Sequence, residues 1–209
     1  MKRILLTVMV IVAGLSAIAP DIHAQSVQRN ARAATKQEKM DAWHRDMAEF
    51  RARSAQDRQM AALTDSIASV QARAALQNQD FVFEADNVTF KNGNMVFVNS
   101  TTNFISVKGN RAVVQISPSN FTTGPNGVGG VTVDGAISGQ QITKGKDGRI
   151  IFSMNVMGIG INAQVEIYMF PGSNQASATV YPNFNSNTVW LSGKIVPYES
   201  SNVFEGFSL

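Results

Sequence analysis

No cysteine occurs among the 209 residues. Its absence excludes disulfides, thiolate metal sites, a cysteine nucleophile and the lipid-acceptor cysteine of an exported lipoprotein. Histidine is almost as scarce, with only His23 and His44, so a Ser-His-Asp triad would have to borrow His44 from a charged segment far from the later sequence. No apolar run reaches the roughly 20 residues of a membrane-spanning helix. An excess of one charge is missing too, since 18 Lys and Arg stand against 15 Asp and Glu. Without a basic face interleaved with stacking aromatics, nucleic acid is not an expected partner.

What is present begins with an address. Lys2 and Arg3, the apolar stretch over residues 4–18, and Ile22-His23-Ala24 have the layout of a secretory signal. Cleavage is expected after Ala24, leaving a mature chain of 209 less 24, or 185, residues. Setting aside Lys2, Arg3 and Asp21 reduces 18 basic and 15 acidic groups to 16 and 14, a nearly neutral protein. A domain of this size without disulfides is held by its core alone, which points to a bacterial periplasm or medium. The expectation is a soluble exported protein with no membrane span after cleavage.

Residues 25–76 read as a charged helical segment. From Thr35 to Leu76 there is no proline or glycine, alanine is abundant, and Arg, Lys, Gln, Asp and Glu fill most other positions, a strongly helix-forming mixture. Met40, Trp43, Met47 and Phe50 form one amphipathic stripe, and Met60, Leu63, Ile67, Val70 and Ala74 another. The ten-residue step from Phe50 to Met60 puts the two out of phase. Because the second half runs directly into the next domain, its stripe is expected to pack there.

Residues 77–209 change grammar. Phe81, Phe83 and Ala85 alternate with Val82, Glu84 and Asp86, and turn residues recur every eight to twelve positions. Asn92-Gly93 and Asp147-Gly148 suit tight hairpins. Residues 131–138 and 140–144 read as separate strands, and residues 123–130 as a turn-rich loop. About nine short, locally connected strands predict a mainly β fold, an antiparallel barrel-like or two-sheet sandwich domain preceded by the long amphipathic helix.

Several segments resemble one family. Asn78-Gln79-Asp80-Phe81-Val82-Phe83-Glu84-Ala85 enters a first strand; Asn103-Phe104-Ile105-Ser106-Val107-Lys108-Gly109-Asn110 leads to Val113-Val114-Gln115-Ile116-Ser117-Pro118; residues 127–134 and 187–196 supply a glycine-rich turn with its strand and a closing strand. Over roughly residues 75–200 the chain is similar to the bacterial envelope family labelled domain of unknown function 4251. Ser119-Asn120-Phe121-Thr122-Thr123 departs from the aromatic and glycine motif usual there. The resemblance implies a fold and an envelope location; it implies no catalytic residue and no cofactor.

The residues offer little for catalysis. Glu84 and Asp86, two apart on one strand, are a weak cation site at most, and the other carboxylates lack the spacing of a calcium loop. Asp134 with Glu166 is the pair a hydrolase of envelope or glycan substrates would need. Trp190, Tyr168, Tyr181 and Tyr198 sit in strand patterns that favour core or cross-strand roles over a sugar platform. Gly158 and Gly160 lack the lysine and helix of a phosphate loop and read as a strand bend. The leading expectation is a non-catalytic binding or structural protein whose β domain takes a small apolar molecule or another envelope protein, with Met154, Met157 and Met169 as pocket residues and the segment 124–130 as its mouth. The competing expectation makes the stripe Met40, Trp43, Met47 and Phe50 a seam for self-association or docking.

Overall fold

The computed structural model describes residues 19–117, 130–159, 162–183 and 188–206. Among the described residues one helix, α1 (Ala19–Asn78), precedes nine strands: β1 (Asp80–Phe90), β2 (Met95–Phe97), β3 (Phe104–Lys108), β4 (Arg111–Ile116), β5 (Val131–Lys144), β6 (Ile150–Gly158), β7 (Asn162–Met169), β8 (Gln175–Pro182) and β9 (Val189–Pro197). A 3-10 turn, Tyr198–Ser200, follows β9. The chain divides into two compact units, Met1–Gln59 and Met60–Leu209. In the first, the described residues are the leading part of α1; the second holds residues 60–78 of the helix and all the strands.

The helix stops at Gln79, whose φ of 54° is left-handed. Gln79 N–H donates to the Leu76 carbonyl (3.2 Å), and its own carbonyl accepts Gly109 N–H (2.8 Å). These bonds turn the chain directly into β1.

The sheet is an antiparallel meander closed on itself. β1 pairs with β9 along its length, from Phe81 opposite Pro197 to Phe90 opposite Val189. The other edge of β1 is shared: Asp80 to Glu84 lie against β3, and Asn87 to Thr89 against β2. Eight strands therefore close a barrel, β1 with β3 through β9, and β2 is an extra strand beside it. The Asn92-Gly93 and Asp147-Gly148 hairpins form as expected, with Gly93 at φ 83° and Gly148 at φ 84°. Residues 131–144 form one strand, where two were expected, because a bulge between Ser138 and Gln141 bends β5 without ending it. A second bulge, between Ala85 and Asn87, lets β9 cross β1 closely. At that crossing a Cβ on Gly193 would lie 1.9 Å from the Glu84 carbonyl oxygen, so only glycine fits.

Alternation places Phe81, Phe83, Phe152, Met154, Ile167 and Leu191 inside, all but fully buried, each contributing about 1.5–3 kcal/mol by leaving water. Phe81 and Phe152 meet edge to face, with ring centres 5.3 Å apart. The end of α1 joins this core through Ala72, Ala75 and Leu76, with Ser69 buried beside them. That is not the face expected. Met60, Leu63, Ile67 and Val70 stay exposed, Val70 at 69%, and Ala74 is exposed as well. At 100° per residue, Leu63 lies about 180° and Val70 about 160° around the helix from Ala72. A barrel end already filled by Phe81, Ile150 and Met169 accepts the small face of the helix and turns the large one outward.

A second, smaller core lies on the outer wall. Val82, Phe104 and Val113 are buried there under Val196, Tyr198 and Val203, because the chain after β9 doubles back over β3 and β4.

Candidate functional site

The described surface most at odds with a solvated role is the helix. Met40, Trp43 and Phe50 are 44%, 53% and 64% exposed, and Met47 is half-buried. They recur at steps of three, four and three residues, the a and d spacing of a helix made to pair with another. His44 stands edge-on to Trp43, ring centres 4.9 Å apart, and is exposed. Charged groups border the stripe: Asp46 and Arg51 are exposed, while Arg53 reaches back one turn to Glu49 at 3.5 Å. In the second unit, Met60, Leu63, Ile67 and Val70 form a further exposed stripe on the side of α1 away from its buried face.

The barrel treats the three methionines differently. Met154 and Met169 lie together in the main core, whereas Met157 points from the outer wall, 55% exposed. Phe152, Met154 and Val156 share inward parity on β6, and Met157 falls on the other face. Half-buried Phe90, Val98, Ile116 and Val189 border the core, and strand polarity places them at the end opposite the helix. The expected mouth, residues 124–130, lies outside the described residues except for Gly130, and so does Gly160.

The carboxylates are occupied and apart. Asp134 accepts two hydrogen bonds from Arg111, from Nε at 2.8 Å and Nη2 at 2.7 Å, and Glu205 accepts a third. The hydrogen bond to Asp134 raises the Arg111 pKa above its ordinary value, with the charges of Glu205 and Asp134 adding to the effect and partial burial opposing it. Glu166 accepts the Tyr168 hydroxyl at 2.6 Å, which holds that phenol above its usual pKa, as burial also does. Glu166 lies opposite Ser153 and Ser153 opposite Gln141. From Asp134 to Gln141 along β5 is about 23 Å at roughly 3.3 Å per residue, against the roughly 5–10 Å a glycosidase pair requires. Glu84 accepts from Ser201 at 2.7 Å and lies 3.5 Å from Lys194, while Asp86 sits at the bulge and is exposed. Among the described residues no three His, Asp or Glu gather as metal ligands.

The aromatic residues expected in core or cross-strand roles are on the outside. Trp190 and Tyr181 are 43% and 41% exposed, and Tyr198 lies under Lys108 Nζ, 4.5 Å from the ring centre. Sequence reasoning missed the polar cluster that fastens the chain's end. Gln115, fully buried, donates to the carbonyls of Thr102 (3.0 Å) and Phe204 (2.9 Å) and accepts from Thr132 (3.2 Å) and Gly206 N–H (2.8 Å). Asn103 beside it donates to the Ser117 carbonyl (2.9 Å) and accepts Ser117 N–H (2.7 Å). A glutamine on the Val113 side of β4 and an asparagine just ahead of β3 were the available signal.

Among the described residues, no helix is long and apolar enough to cross a membrane. The family model for DUF4251, a domain of unknown function, matches residues 65–195, and so takes in the buried turns of α1 with nearly all the strands. The crystal structure of a DUF4251 family protein from Bacteroides eggerthii is 44% identical, aligned over 68% of this chain and 96% of that one, with a TM-score of 0.60. No curated protein matches the chain.

Proposed function

The chain belongs to the DUF4251 family, and from that premise we propose a non-catalytic docking protein of the bacterial envelope, in which the barrel is the stable body and α1 the binding element. The signal-like residues 1–24 support export, and a solved relative of bacterial origin supports a bacterial setting. The observation that carries the reading is the exposure of Met40, Trp43 and Phe50 at heptad spacing. Solvated helices rarely keep methionine, tryptophan and phenylalanine on one stripe unless something covers it.

A photo-crosslinking amino acid placed at Trp43 in cells making the full chain tests this. Adducts that disappear when the crosslinker is moved to Ala52, on the opposite face, are expected. No adduct from Trp43, Met47 or Phe50 contradicts the reading.

A second reading has one observation in its favour. Phe90, Val98, Ile116 and Val189 are half-buried apolar side chains at the barrel end away from the helix, and an apolar small molecule or side chain would extend the core there. An apolar fluorophore titrated against the mature protein checks it: saturable binding weakened by Val189→Asp is expected, and binding unaffected by that change counts against it.

A further inference from the structure

We propose that the Met40–Phe50 seam pairs in parallel with the same seam of a second copy of this chain. The proposal rests on the docking reading above and names its partner. Met40, Trp43, Met47 and Phe50 occupy a, d, a and d of successive heptads, which puts Lys39, Asp46 and Arg53 at g and His44 and Arg51 at e. In a parallel pair each g residue faces the e residue five positions further along the other copy. Asp46 then meets Arg51, an attraction, and Arg53 meets Arg58, like on like, each twice by symmetry, while Lys39 meets only His44.

The antiparallel alternative sets Met40 opposite Phe50 and Trp43 opposite Met47. The same flanks then bring Asp46 onto Asp46 and Lys39 onto Arg53, like charge on like. Only the parallel arrangement contains an opposite-charge contact, Asp46 with Arg51, and charge favours it on that ground. Asp46 and Arg51 are exposed, and neither is in an ion pair among the described residues, whereas Arg53 is drawn toward Glu49 on its own helix.

The heptads lapse after Phe50, where the next a and d positions are Ser54 and Asp57. Met60, Leu63, Ile67 and Val70, in the second unit, repeat the a and d spacing, but the step from Phe50 at d to Met60 at a is one residue short of the eleven that unbroken heptads need, so the two stripes are out of phase. Gln59, Thr64, Ser66 and Gln71 flank the second stripe without charge, so nothing there opposes a like copy. Ser69 and Ala72, buried toward the barrel, lie on the other side of the helix and leave this stripe free.

Because the chain has no cysteine, single introduced cysteines report their neighbours. In the mature chain, Phe50→Cys is expected to form an intermolecular disulfide under mild oxidation, and Ala52→Cys, on the far face, to stay reduced. Phe50→Cys that joins a Met40→Cys chain in preference to itself overturns the parallel arrangement. Asp46→Arg is expected to weaken the dimer roughly tenfold, and adding Arg51→Asp to restore it. An affinity indifferent to Asp46→Arg, or not recovered by the double change, overturns the pairing. A single-chain mass in sedimentation that coexists with Trp43 adducts to another protein overturns self-pairing and leaves docking intact; a single-chain mass without adducts overturns both.

Discussion

Gln115 Oε1 accepts the backbone N–H of Gly206 at 2.8 Å across 91 residues of sequence, and its Nε2 donates to the Phe204 carbonyl at 2.9 Å. One buried amide thus holds the chain's end against the outer wall, where Val203 covers Val82, Phe104 and Val113.

Gln115→Leu keeps the volume of the side chain and removes its hydrogen bonds. The expected loss of stability is about 2–3 kcal/mol, read by urea unfolding, with faster amide exchange at residues 203–206. Unchanged stability and exchange contradict the role of Gln115 as a fastening.

Two leucines on α1 should differ sharply. Leu76 is 1% exposed within the main core and Leu63 is 60% exposed. In dilute, monomeric protein Leu76→Ala should cost about 2–5 kcal/mol of barrel stability, and Leu63→Ala within about 0.5 kcal/mol of nothing. Equal losses would mean that the helix is seated on the face first expected.

Gly193→Ala places a methyl group 1.9 Å from the Glu84 carbonyl oxygen. Backbone must move at the crossing that closes the barrel, at a cost of about 3 kcal/mol or more. Thermal unfolding is the measurement; a melting temperature within a degree of the parent contradicts the close approach.

Tyr168 should ionise later than an ordinary phenol. Its hydrogen bond to Glu166, with burial adding, raises its pKa above 10.0, so the fold favours the neutral form. The stability this contributes is fully present below the unfolded value and is lost as pH rises through the folded one. Absorbance titration of tyrosinate should show one late component that Tyr168→Phe removes. Three components at the ordinary value contradict it.

Much of the fold was legible in the residues because its causes are local. Alternation in β1 and β6, Asn92-Gly93 and Asp147-Gly148 each act over a few positions, and the proline-free, alanine-rich run sufficed for α1. The helix's buried face was not legible, since Ala72 and Ala75 look like spacers beside Met60 and Leu63. Which side turns inward depends on how full the barrel end is, and that is set by Phe81, Ile150 and Met169 on three separate strands. The fastening at Gln115 was hidden for a similar reason, as residues 201–206 have no periodicity and gain meaning only from a partner far back in the chain. Of the candidate residues, the Met40, Trp43, Met47 and Phe50 stripe could be read directly, because a helix fixes its own faces. The outward place of Met157 was legible too, because the alternation along β6 that buries Met154 carries it, three positions on, to the outer wall.

The most direct measurement is native mass spectrometry of the mature protein recovered from its own cell envelope, beside a Trp43→Ala, Phe50→Ala variant. A mass above that of one chain is expected for the parent, falling to a single chain in the variant with barrel stability unchanged. A bare single chain for the parent, or extra mass that survives in the variant, would contradict the helix as the binding element.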